Sequence, residues 1–192
     1  MIYTYFLERY EIDISYELST INNVCFFSQV RVEDGTQLLG IYDPTVAFQP
    51  NIYLNECLLD DLDLLKFTYV HEIMHLLGFV DNETVMLMEG LSDCLAENIL
   101  GYCYTGSYDV PRELSHQLLI ADPDLISYII NGGDVDDRID RFAELSYEEP
   151  VSSLALEYLL YEIEYNDLDD NTYSEYLDNC QEIISSYCNS FK

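Results

Sequence analysis

Basic residues are scarce in this chain of 192 residues, which has 7 lysines and arginines against 37 aspartates and glutamates and a formal net charge of −30. So few cations provide no positive surface for a phosphate backbone or an anionic membrane, and we therefore expect no nucleic-acid partner. Because 49% of the residues are hydrophobic, the chain can bury a sizeable core. We expect one domain over residues 1–192 with its acidic excess on a solvated surface.

Long hydrophobic runs are also missing. No segment approaches the roughly 18 uninterrupted apolar residues of a membrane span, so we expect no membrane insertion. The first ten residues include Glu8 and Arg9 and do not have the basic stretch and apolar run of a signal peptide. The sequence thus indicates a soluble chain. It leaves open the oligomeric state and whether the compartment is the cytoplasm or, after removal of a signal, the exterior or cell surface.

Paired cysteine motifs are the third absence. The chain has 6 cysteines, but no two have the Cys-x-x-Cys spacing, which excludes a cysteine-type zinc site and a thioredoxin-like redox motif. We interpret the cysteines as free thiols of the core, and the even count leaves open three disulfides in an oxidising compartment.

The N-terminal part, residues 1–60, has the patterns of a small sheet. Ile12, Ile14 and Tyr16 alternate with polar neighbours. Residues 25–32 are rich in β-branched and aromatic side chains, and 51–55 form a short run bounded by asparagines that suits an outer strand. We predict an α+β fold in which a small, mostly antiparallel N-terminal sheet precedes a mainly helical C-terminal part.

Residues 61–101 are predicted to form two helices. The first helix begins near Asp60, Asp61 or Asp63, where carboxylates can cap free amides, and it ends at Gly78. The second begins at 82–84 and ends at Gly101. Residues 102–192 are expected to form a helical subdomain.

The strongest motif is His71-Glu72-Ile73-Met74-His75, which lies in the first of these helices. Two imidazoles at positions i and i+4 share one helix face and can reach a single metal ion. Glu72 is expected to hold and deprotonate a water bound to that metal, which makes it the catalytic carboxylate. One zinc ion is the expected cofactor.

A catalytic zinc site needs a third protein ligand, and two candidates compete for this position. Glu89 and Asp93 share one face of the second helix, so Glu89 could bind the metal while Asp93 accepts the remaining N–H of a liganding histidine. The alternative ligand is Asp81, which would lie beyond a turn made at Gly78.

With Glu89 and Asp93, the motif resembles the gluzincin group of zinc metallopeptidases, which includes the thermolysin family. The spacing from His75 to Glu89 is shorter than in thermolysin-like enzymes, and Glu89-Gly90-Leu91-Ser92-Asp93 resembles the glutamate helix of small bacterial gluzincins. With Asp81, the same stretch resembles the metzincins, and Met86 or Met88 could then form their methionine turn. The helical apolar period that continues from Val85 to Leu100 favours the gluzincin interpretation.

The resemblance implies a zincin-like catalytic domain that hydrolyses peptide bonds in a peptide or protein substrate, with a zinc-bound water activated by Glu72. It also implies an edge strand over the active-site helix that binds the substrate backbone, for which 52–55 is the candidate. A donor opposite the zinc would stabilise the oxyanion, and Tyr108 and His116 are the candidates. Two alternatives stay open: a non-catalytic binding or regulatory module stabilised by zinc, and a regulatory peptidase with one protein partner.

Overall fold

The polypeptide combines helices with one small sheet. The computed structural model describes residues 1–21, 23–28, 39–43, 51–79, 85–102 and 124–132, together with positions 115, 118–119, 137, 140–141 and 143. The helices are α1 (Ile2–Tyr10), α2 (Ser15–Thr20), a 3₁₀ helix (Glu56–Asp60), α3 (Leu62–Leu76), α4 (Val85–Leu100) and α5 (Leu125–Ile130), and the strands are β1 (Asn23–Phe27), β2 (Gly40–Asp43) and β3 (Asn51–Asn55). The predicted α+β class is confirmed.

The chain divides into two compact units. One unit consists of residues 1–79 and 95–106, and the other of 80–94 and 107–192. The sheet, α1, α2 and α3 belong to the first unit, and α5 belongs to the second. Within the described residues, none of the helices is both long enough and apolar enough to cross a bilayer.

The N-terminus is helical, so the strand predicted around Ile12, Ile14 and Tyr16 is wrong. These three side chains do not form one face, because Ile14 is fully buried whereas Tyr16 is 74% exposed. Glu11 ends α1 in the left-handed region, with φ of 58°. The Asp13 carboxylate then accepts a hydrogen bond of 2.9 Å from the Ser15 N–H at the start of α2. A short apolar alternation therefore coincides with a turn between two helices.

The sheet has the strand order β1-β3-β2. β1 runs parallel to β3, and β2 runs antiparallel to it, so the predicted mostly antiparallel sheet is in fact mixed. The prediction that 52–55 is the outer strand is also wrong, because β3 is central. Ile52 and Leu54 are almost completely buried, on the face of the sheet that contacts α3. Among the described strands, β2 lies at the edge next to α3, with which it makes contact.

One face of the sheet packs against α3. Gly40 of β2 lies opposite Leu54 of β3, and Tyr42 lies opposite Ile52. Residues opposite each other in a ladder point to the same side, so these four positions share a face. Gly40 adjoins Thr68 and Glu72 of α3, which identifies this face as the one that the helix covers.

The bounds of α3 follow the signals in the sequence. Asp61 is the N-cap, and its carboxylate accepts hydrogen bonds from the Asp63 N–H at 3.2 Å and the Leu64 N–H at 3.1 Å. Gly78, just beyond the last turn, has a φ of 99°. α4 likewise ends before Gly101, which has a φ of 76°. Both predicted helix ends are confirmed, because glycine adopts positive φ without the steric cost that other residues meet.

Two further expectations are tested only in part. Cys25, Cys57 and Cys94 are free thiols, and Cys94 is buried whereas Cys57 is exposed. In the predicted helical subdomain, α5 is helical and ends before Gly132, which has a φ of 89°. Most of residues 102–192 lie outside the described residues.

Candidate metal centre

Helix α3 places His71 and His75 one turn apart with their rings facing each other. Their Nε2 atoms are 3.0 Å apart. The ring centroids are separated by 4.7 Å, and the ring planes are nearly perpendicular, at 83°. Both Nε2 atoms therefore point at the same small volume, which is the arrangement in which one ion can accept a lone pair from each.

The other ring nitrogen of His75 has a main-chain partner. His75 Nδ1 lies 2.7 Å from the carbonyl oxygen of Phe79. A carbonyl only accepts, so Nδ1 carries the proton and the neutral ring presents a lone pair at Nε2. This hydrogen bond thus selects the tautomer that can bind a metal through Nε2. Asp93 was predicted to accept from one of the liganding histidines, and the Phe79 partner of His75 leaves His71 as the histidine to which that prediction applies.

The Phe79 carbonyl is held in place by the C-terminal cap of α3. The Phe79 N–H donates to the Met74 carbonyl at 3.1 Å, and the Gly78 N–H donates to the His75 carbonyl at 3.2 Å. These two bonds, with Gly78 at positive φ, are those of a Schellman motif. Phe79 itself is fully buried, which anchors the reversed chain. The end of the helix and the orientation of His75 therefore depend on the same turn.

Glu72 lies between the two histidines in sequence and has a different environment. Its side chain is only 5% exposed, whereas the histidines are half-buried. Because successive residues on a helix point about 100° apart, Glu72 lies beside the histidine face and towards the sheet. There its carboxylate adjoins Gly40 of the edge strand. A carboxylate in this position is shielded from bulk water and fixed by packing.

Glu89 of α4 is the third residue of the cluster. One ligand atom from each of His71, His75 and Glu89 can be chosen so that all three lie within 4.8 Å of one another, and all three side chains are half-buried. Such a group could hold a metal ion.

The donor set fits zinc in kind, since two imidazoles and a carboxylate are a common set in catalytic zinc sites. Two Zn–N bonds of usual length at a tetrahedral angle separate the nitrogens by about 3.3 Å, which is close to the observed spacing of the imidazoles.

The remaining predicted residues differ in how far the structure bears on them. Asp93 lies one turn after Glu89 on α4 and is half-buried, so its predicted role towards His71 stays a prediction. Asp81, Tyr108 and His116 lie outside the described residues.

The methionines bear on the alternative metzincin interpretation. Met86 and Met88 both lie within α4, which continues as a helix through them. A methionine turn at these positions would have to interrupt that helix.

Gly40 was not predicted as a site residue, and the signal that could have found it is its place within an apolar run of the sequence, Leu38 to Tyr42. Such a glycine often marks a close approach of another group to the backbone. The Asn55 N–H donates to the Leu39 carbonyl at 2.8 Å. By the alternation of an antiparallel ladder, Gly40 and Tyr42 then direct their main-chain N–H and C=O groups away from β3. Among the described strands, none pairs with the outer edge of β2, and its main-chain donors and acceptors lie beside Glu72.

Tyr42 lies two residues after Gly40 on this edge strand. Burial raises the pKa of its phenol above the ordinary value, and the neighbouring Asp43 carboxylate raises it further. The hydroxyl is therefore protonated at neutral pH and can donate a hydrogen bond.

In comparisons with known proteins, no family model matches the chain, and no curated protein or solved structure matches it either.

Proposed function

We propose that the chain is a zinc-dependent metallopeptidase of the gluzincin type, with His71, His75 and Glu89 as ligands and Glu72 as the catalytic carboxylate. The observation that supports this most strongly is the cluster itself, in which the two Nε2 atoms are 3.0 Å apart and the Glu89 carboxylate completes a group within 4.8 Å. The catalytic carboxylate follows the first ligand directly in the chain, and it is buried. A purely structural metal site would not need an acid at that position.

The protein would supply a positioned base. Zinc bound to this set would act as a Lewis acid that lowers the pKa of a water and polarises a carbonyl. Glu72 would take a proton from the attacking water onto its carboxylate and later return it to the leaving amine. The Phe79 carbonyl would keep His75 in the liganding tautomer throughout. Hydrolysis would then proceed without a covalent intermediate on the protein.

The edge strand β2 would bind the substrate backbone. An extended peptide could pair with the main-chain groups of Gly40 and Tyr42 by β-augmentation, which gives affinity without selecting a side chain. This assignment replaces 52–55, which forms the central strand. The net charge of −30 would favour substrates that contain lysine or arginine over acidic ones. The substrate class is therefore a peptide or protein with basic character.

Two roles remain to be assigned within this proposal. Tyr108 and His116 are the candidates for the donor that stabilises the oxyanion, a task that requires a group about 3 Å from that oxygen. Asp93 would orient His71. Asp81 is the competing third ligand, and the helical course of α4 through Met86 and Met88 favours Glu89 over it.

The test is cleavage of a peptide library by the zinc-loaded wild type and by Glu72→Gln. The substitution keeps the size of the side chain and removes its basicity. We expect at least about a 100-fold loss of activity, in line with general base catalysis, with one zinc bound in both proteins. Glu56→Gln, at an exposed position of the 3₁₀ helix, is the matched control and should be fully active. An inactive wild type that binds zinc would contradict the proposal and favour the non-catalytic module, whereas cleavage of a single protein partner would favour the regulatory peptidase.

A further inference from the structure

We propose that Gly40 is a positioning residue for Glu72. Because glycine has no side chain, the Glu72 carboxylate can lie in the space that a Cβ atom at position 40 would fill. The inference rests on the proposed function for its catalytic consequence. Its structural basis involves only the first unit of the chain, where β2 crosses α3.

The contact is close enough to exclude any side chain at position 40. A Cβ atom built on Gly40 would lie 2.8 Å from Cδ of Glu72 and 2.8 Å from Cγ2 of Thr68, and it would overlap Oε1 of Glu72. Real Cβ atoms do not approach other heavy atoms at such distances. An alanine at this position would therefore have to displace the carboxylate, the threonine or the strand.

The backbone of Gly40 gives no other reason for a glycine. Gly40 pairs in register with Leu54 in the β2–β3 ladder. It does not have a positive φ, unlike Gly78, Gly101 and Gly132 among the described residues. Glycine in a strand interior weakens the strand, because it loses more conformational entropy on folding and has no side chain to pack. On backbone grounds alone, alanine would be the better residue at position 40.

An alanine at position 40 would displace the Glu72 carboxylate, which is the group that transfers the proton in the proposed function. Glu72 is only 5% exposed and lies where α3 contacts the sheet, so a Cβ atom at position 40 would push its carboxylate away from β2. A shift of about 1 Å in a catalytic group can reduce turnover about 100-fold. The metal ligands are on the neighbouring helix face, so a change at Gly40 should leave metal binding intact.

The structural part of the inference is tested by a double-mutant cycle in metal-free protein. All variants carry Thr68→Ser, which removes Cγ2, so that the atoms of Glu72 are those left of the three nearest to the added Cβ. We expect Gly40→Ala to lower Tm by about 2–10 °C when Glu72 is present, as overpacking of a core does. With Glu72→Ala, the same substitution should leave Tm unchanged or raise it. Equal losses in both backgrounds would overturn the proposed contact.

The catalytic part is tested in the zinc-loaded protein that carries Thr68→Ser. We expect Gly40→Ala to lower kcat about 10- to 100-fold, with KM and a stoichiometry of one zinc nearly unchanged. Val24→Ala is the control, because Val24 lies in β1, outside the strand proposed to bind the substrate, and its side chain is 43% exposed. Full activity of Gly40→Ala would overturn the positioning role. An inactive parent protein would instead refute the proposed function, and the Tm cycle would still decide whether the two residues are coupled.

Discussion

Replacing Gly78 by alanine should weaken both the fold and the metal site, because one turn serves both. Gly78 has a φ of 99° and donates its N–H to the His75 carbonyl. An L-residue in the left-handed region costs about 1–2 kcal/mol. For a chain of this size, that penalty corresponds to a fall in Tm of about 2–8 °C. Gly78→Asn should cost less, since asparagine tolerates this conformation.

The metal site is affected through Phe79, whose carbonyl accepts from His75 Nδ1 at 2.7 Å. A distorted turn would move this acceptor and release the ring from its liganding tautomer. Loss of such an outer-shell partner typically lowers metal affinity 10- to 100-fold, and we expect an effect of about that size. Thermal unfolding of the metal-free protein measures the first effect, and competition with a zinc chelator of known affinity measures the second.

Gly101→Ala is the matched control for this experiment. Gly101 also follows a helix, has a φ of 76° and would meet nothing within 4 Å of an added Cβ. It should lose a comparable amount of stability but no zinc affinity. If both variants lose zinc affinity equally, the link from Phe79 to His75 does not matter for the site. If Gly78→Ala keeps the wild-type Tm, the described turn is wrong.

Three further predictions concern the described core and caps. Asp61→Ala removes the N-cap of α3 and should reduce the free energy of unfolding by about 1 kcal/mol, whereas Asp61→Asn should be nearly neutral in urea titrations. Leu95→Ala, at a fully buried position, should cost about 2–5 kcal/mol, whereas Leu62→Ala, at a position that is 64% exposed, should change stability by less than about 0.5 kcal/mol. Burial and a hydrogen bond with Tyr10 raise the pKa of Tyr5 above its ordinary value of 10.0. The protonated Tyr5 phenol therefore stabilises the fold below that pH, and this stabilisation is lost as the pH rises further. Tyr5→Phe should flatten the alkaline fall in Tm, and an unchanged slope would refute this.

The parts of the fold that the sequence predicted best are those with a strong local determinant. The ends of α3 and α4 follow from an aspartate cap and from glycines at positive φ, which act within one turn of the chain. β3 was predicted at its observed bounds because the polar residues at both ends limit a short apolar run. In each case, interactions between near neighbours determine the structure.

The strand predicted around Ile12, Ile14 and Tyr16 failed locally, because the apolar alternation falls on a turn between two helices. The other wrong predictions concern tertiary order. Nothing within residues 51–55 shows that β3 lies between β1 and β2 or that β1 runs parallel to it, because both facts depend on pairing with distant segments. At the site, helical spacing predicted the two histidines correctly as neighbours. It could not provide the Phe79 acceptor, which exists only once the chain reverses at Gly78. Nor could it show that Gly40 lies against Glu72, since the two residues are on different elements.

The most direct test of the proposed metallopeptidase is the zinc content of four proteins purified side by side: wild type, Glu89→Ala, Asp81→Ala and, as an exposed acidic control, Glu56→Gln. We predict one zinc in the wild type, in Asp81→Ala and in Glu56→Gln, and a loss of zinc in Glu89→Ala. Loss in Asp81→Ala with retention in Glu89→Ala would assign the third ligand to Asp81 and contradict the gluzincin arrangement. No zinc in any of the four, even after zinc is added, would contradict the metal centre itself.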